Sequence, residues 1–103
     1  MQLDVFANPV ARARRAFPYV VVLQSDISAI GPDRIVAFLA AKAHAGLTGG
    51  RLMPAVQLGG REFILLMPSI TNVSEAALRG SVGNLSAFRD RIVDAIDWVF
   101  LSI

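Results

Sequence analysis

Phe17-Pro18-Tyr19-Val20-Val21-Val22-Leu23 is the stretch on which the fold turns. β-Branched and aromatic residues follow one another here without polar alternation, as in a central strand covered on both faces. Pro18 marks its first residue, where a missing N–H does least harm. Gln24-Ser25-Asp26 ends it. Toward the amino terminus, Leu3, Val5 and Ala7 alternate with Gln2, Asp4 and Phe6. That period of two predicts a strand whose Leu3/Val5/Ala7 face is the better buried. Asn8-Pro9 breaks the pattern, and Arg12, Arg14 and Arg15 follow as a solvated loop tip. This is the one local concentration of basic charge, and it suits contacts to phosphate groups.

Toward the carboxyl terminus, Gly31-Pro32-Asp33 signals a turn and Arg34 to Leu39 is an apolar run. Ala37 to Leu47 is alanine-rich and reads as helix on propensity alone. Thr48-Gly49-Gly50 closes it as a loop. Ala55 to Leu58 and Glu62 to Met67 flank Gly59-Gly60, a dipeptide suited to the positive φ angles of a two-residue hairpin.

The last segment predicts a helix. Ser86 offers a hydroxyl as N-cap, and Phe88, Ile92, Ala95, Ile96, Val99 and Ile103 recur at three- and four-residue spacing. Val93, Trp98, Phe100 and Leu101 widen the stripe, while Asp90, Arg91, Asp94 and Asp97 occupy the opposite surface. A terminal helix with more apolar surface than one core contact needs predicts a dimer interface, with Ile96, Val99 and Ile103 at its centre.

Composition points the same way. The chain has 103 residues, 54% hydrophobic and 17% charged, against about 25% charged in an average soluble domain. One domain over residues 1–103 is expected. So small a body cannot hide that apolar fraction alone, which predicts homo-oligomerisation. The apolar runs fall far short of the ~20 residues of a membrane span. Met1-Gln2-Leu3-Asp4 lacks the basic start of a secretory signal, so a cytoplasmic protein is expected. The absence of cysteine removes disulfide scaffolds, zinc ribbons and thiol nucleophiles. The formal net charge is only +2.

Met1-Gln2-Leu3-Asp4-Val5, Val22-Leu23-Gln24-Ser25-Asp26-Ile27, Pro54-Ala55-Val56-Gln57-Leu58-Gly59 and the ending Ala95-Ile96-Asp97-Trp98-Val99-Phe100-Leu101-Ser102-Ile103 resemble the CcdB toxin family. The resemblance implies a mainly β domain with a C-terminal α-helix, a CcdB/MazF-like (SH3-like) β-barrel that forms a homodimer. It also implies the toxin half of a toxin–antitoxin pair, which binds the A subunit of DNA gyrase and traps it on cleaved DNA. A CcdA-like antitoxin would neutralise it, and operator DNA would be bound only by the complex of the two. No cofactor, metal or small-molecule substrate is implied.

The family's gyrase-binding motif is a terminal Trp-Gly-Ile preceded by Phe. Phe100 and Ile103 match it, whereas Leu101 and Ser102 stand at the Trp and Gly positions. Trp98, the one tryptophan, lies three residues earlier and about 60° around the helix from Leu101. Trp98, Phe100, Leu101, Ser102 and Ile103 are therefore the candidate target-binding residues. Ser25 and Ile27 match family positions close to the gyrase and antitoxin surface, and Asp97 stands where the family often has Asn. The fold relationship to MazF-type ribonucleases raises an enzymatic alternative. His44, the one histidine, lies in the alanine-rich segment without a partner at recognisable spacing, and Asp26 reads as a turn residue. A binding protein, not an enzyme, is the expectation.

Overall fold

The strand singled out by its valines is β2, Tyr19–Val22, and it lies inside a sheet between β1, Asp4–Ala7, and β3, Asp33–Ala41. The computed structural model describes residues 2–25, 31–42 and 50–101. Val20, Val21 and Val22 have no exposed surface. Val21 and Leu23 join Val5, Leu39, Phe63 and Leu65 in one core cluster, while Val20 and Val22 face away, into a second with Phe6, Val36 and Leu78. The two-sided cover expected of this strand is what the structure has.

β4, Ala55–Leu58, β5, Arg61–Ser74, and β6, Gly83–Asn84, complete a six-stranded sheet in the order β4-β5-β3-β2-β1-β6. Every pairing is antiparallel. The sheet curls into a nearly closed barrel. Its two edges meet where the Leu58 side chain of β4 occupies the space that a Cβ on Gly83 of β6 would take. Gly59 and Gly60, at φ 58° and 79°, turn β4 into β5, with Leu58 opposite Arg61. This is the two-residue hairpin expected of that dipeptide.

The helix expected over Ala37 to Leu47 is overturned where the structure describes it, because Ala37 to Ala41 belong to β3. Val36 and Phe38 point to one core cluster and Ala37, Leu39 and Ala41 to the other. Both edges of the strand are hydrogen-bonded, to β2 and to β5. Helix propensity is worth only tenths of a kcal/mol per residue, and burial between two partner strands outweighs it. Thr48 and Gly49 lie outside the described residues. β1 also departs from its expected pattern: Phe6 is buried in the second cluster and Ala7 is exposed. Leu3 precedes the strand in the left-handed region, at φ 64°.

β5 runs well past Met67. Val36 pairs with Thr71 and Phe38 with Leu66, so extra residues of β5 bulge out around Pro68. Proline cannot donate to a ladder, and a bulge bends the strand that holds it. The Ser69 hydroxyl donates to the Leu66 carbonyl at 2.6 Å and closes the bend.

The carboxy-terminal element is a 3₁₀ turn, Ser86–Phe88, leading into helix α1, Arg89–Leu101. Ser86 does not cap it. Instead the Asn84 Oδ1 accepts from the Ser86 N–H at 2.7 Å, while its Nδ2 donates to the Gln2 carbonyl at 3.2 Å and to Asp4 at 2.8 Å. Ile92 and Ala95 are buried against the sheet, with Phe88, Ile96 and Val99 packed beside them.

The arginine loop between β1 and β2 is held by a buried amide. Asn8 is fully buried; its Nδ2 donates to the Phe17 carbonyl at 2.9 Å and its Oδ1 accepts from the Val10 N–H at 3.0 Å. Its carbonyl accepts from Arg14 Nε. Asn8→Ala strands the Phe17 carbonyl and the Val10 N–H, and is expected to lower stability by about 1–3 kcal/mol. Urea denaturation of the two proteins, with an unchanged slope, checks this.

Candidate protein-binding surface on helix α1

α1 turns Ile92 and Ala95 inward and packs Ile96 and Val99 beside them, while Val93, Trp98 and Phe100 face solvent. Phe100 is 63% exposed and Trp98 37%, and Val93 is exposed as well. At 100° per residue, Val93, Asp97 and Phe100 share one face and Asp94 and Trp98 an adjoining one.

The second face carries a constellation that spacing does not reveal. Arg51 reaches the helix and grips the Asp94 carboxylate with two parallel bonds, Nε to Oδ2 at 2.9 Å and NH2 to Oδ1 at 3.0 Å. The same guanidinium lies 4.4 Å from the centre of the Trp98 ring. A planar fork serves both contacts at once, which an ammonium does not. The hydrogen bonds from Arg51 hold the Asp94 carboxyl below its ordinary range and raise Arg51 in turn. Gly50, Arg51, Pro54, Ala55, Arg91 and Asp94 line a groove of about 380 Å³ beside it.

The first face borders an apolar cavity of about 210 Å³ lined by Leu23, Gln24, Ile35, Ile70, Ile96 and Phe100. Gln24 is the polar residue of the six, and its Oε1 accepts from the Ile35 N–H at 3.2 Å. What remains is a greasy recess with a free-standing phenyl ring at its mouth.

The nominated residues fall as follows. Ser25 is partly buried one residue beyond Gln24, and Asp97 is exposed between Val93 and Phe100. Ile96 and Val99 are partly buried against the chain's own core. Leu101 is the last residue of α1, while Ile27, Ser102 and Ile103 lie outside the described residues. Arg12, Arg14 and Arg15 are exposed on the loop between β1 and β2, which is not part of this surface. Arg51, Ile35 and Ile70 are the contributors that sequence reasoning missed. Arg51 stands 43 residues from Asp94, and no local signal links them.

His44 and Asp26 lie outside the described residues. Among the described residues, no three His, Cys, Asp or Glu side chains gather as a metal site would require. No helix among them is long and apolar enough to cross a membrane.

Trp98 is the chain's one tryptophan and so reports on this face without interference. A lowered carboxyl pKa means the Arg51–Asp94 pair is intact above the ordinary carboxylate range and is lost as pH falls through the Asp94 value. Trp98 emission is therefore expected to change only in acid below the ordinary range. The Arg51→Ala variant should show the altered emission at neutral pH and no such acid transition, as a fluorescence titration would measure.

Curated proteins provide no match to the chain. The family model described as CcdB protein matches residues 2–101, which takes in every strand of the barrel and the whole of α1. This chain therefore belongs to the CcdB family.

Proposed function

We propose that this chain is the toxin of a toxin–antitoxin pair and acts by protein–protein contact, not by catalysis, on the A subunit of DNA gyrase in the cytoplasm. One observation carries the reading: the family match runs into a helix end whose aromatic residues, Trp98 and Phe100, are left to solvent. Aromatic side chains with a neighbouring recess are the usual anchors of a protein interface. Arg51 pins Trp98 along the helix flank, so Phe100, standing free, is the anchor in this reading. In this reading Leu101, Ser102 and Ile103 also contact the target, and Ser25, Ile27 and Asp97 serve the target and antitoxin contacts.

Two copies join through the helix flanks, with Ile96, Val99 and Ile103 at the contact, so that both tips project together. A CcdA-like antitoxin covers the tip, and the pair, not the toxin alone, recognises the operator and represses transcription. A second reading keeps the toxin and changes its target. It is favoured by Leu101 and Ser102 at the family's Trp and Gly positions, since losing a hot-spot Trp removes roughly 2 kcal/mol, tenfold or more in affinity.

Purified protein is expected to inhibit gyrase supercoiling and to promote gyrase-dependent DNA cleavage. Phe100→Ala should weaken both at least tenfold without altering the unfolding midpoint. Growth arrest in cells whose gyrase is untouched in these assays selects the second reading. Sedimentation at micromolar concentration should give twice the 11.1 kDa of one chain.

A further inference from the structure

The charges of this molecule are sorted by end. Ala7 pairs with Tyr19, Tyr19 with Leu39, Ala41 with Phe63 and Leu58 with Arg61. The β1–β2 loop, the end of β3 and the Gly59-Gly60 hairpin therefore lie at one end of the barrel. Among the described residues that end carries Arg12, Arg14, Arg15, Lys42 and Arg61, half of the chain's ten basic residues, with one acidic residue, Glu62. Lys42 already holds Glu62 at 2.8 Å. The modest net charge of the whole chain hides a cationic end.

The arginines there do different jobs. Arg14 spends its Nε on the Asn8 carbonyl and braces the loop. Arg12 and Arg15 are exposed and make no hydrogen bond or ion pair among the described residues. Arg61 is exposed too, with its guanidinium 5.3 Å from the Phe63 ring. Buried Asn8 fixes the loop beforehand, so little order has to be imposed when a ligand arrives. The apolar cavity and the polar groove both lie against α1, not here. Cations without an apolar recess suit a polyanion of regularly spaced charge, and a guanidinium fork fits phosphate oxygens.

We propose that the Arg12, Arg15 and Arg61 end docks on the phosphate backbone of duplex DNA without reading its sequence. Six residues of β3 separate Ala41 at this end from Ile35 in the Phe100 recess, roughly 20 Å of strand. That is more than twice the Debye length of about 8 Å at physiological salt. The two ends are electrically independent, and the helix tip can be occupied while this end holds DNA. The inference does not rest on gyrase being the target.

The test is fluorescence anisotropy of the purified chain with a labelled duplex of random sequence, between 50 and 200 mM salt. Three phosphate contacts imply a fall in affinity of about 40-fold over that range. The R12Q/R15Q double variant should retain only the fall of about 3-fold that one contact gives. Arg89→Gln, which removes a cation bonded to Gln2 away from this end, should behave as the parent, as should Phe100→Ala. The proposal is overturned if the parent does not bind at 50 mM salt, if the double variant keeps the parent's salt dependence, or if polyglutamate binds and the duplex does not. Loss of gyrase inhibition in Phe100→Ala with DNA binding intact separates this site from the helix tip.

Discussion

Val20, Val21 and Val22 leave nothing of themselves to water, and they point alternately to opposite faces of the sheet. A strand in that position requires cover on both sides. Each fully buried valine contributes about 1.5–3 kcal/mol relative to exposure, so neither face can be left open. Helix α1 covers one with Ile92 and Ala95. Leu78, Phe38 and Val73 cover the other, where the Phe17 and Phe38 rings stack at 5.5 Å. The obligation to roof the Val21 side fixes the rotation of α1. That rotation in turn decides that Val93, Trp98 and Phe100 face outward. The candidate surface is thus the complement of a packing constraint, and its residues are legible only once the packing is known.

How far the sequence speaks for itself depends on the range of the forces involved. The valine run, the Gly59-Gly60 hairpin and the stripe of α1 are decided by neighbours within a few residues, and each stands where local pattern puts it. Ala37 to Ala41 deceive because their helical preference is local while the two strands that capture them are not. Pro68 hides the far half of β5, since a strand interrupted by proline reads as ended until the bulge around it is seen. The start of the last element is misread for a related reason: the Ser86 N–H is taken by Asn84, two residues ahead, which is held in place by Gln2 and Asp4 from the other end of the chain. Arg51 is the extreme case, because its whole role comes from tertiary approach.

The tip carries two aromatic residues in unlike circumstances. Trp98 has a guanidinium on its face and a carboxylate clamping that guanidinium, which makes it a well-ordered part of the helix flank. Phe100 has an apolar hollow beside it. Under the proposed function the two rings would do different work: Trp98 braces the flank and Phe100 is offered to the partner. The sidedness of charge completes the division, with four of the nine arginines, Arg12, Arg14, Arg15 and Arg61, at the far end of the barrel.

The clasp made by Asn84 has a consequence for how the polypeptide is born. It ties residues 80 and 82 positions apart in the chain, and Leu85 adds a backbone bond to Leu3. During translation β1 and β2 can zip together early, yet the outer edge of β1 stays unpaired until residues 83 and 84 have been made. At about 5–20 residues per second, the intervening ~80 residues take roughly 4 to 16 s. For that interval the nascent chain offers an open strand edge, the feature by which β-proteins most readily recruit a stranger. A binding partner already waiting at the ribosome would meet this chain before its own last strand does.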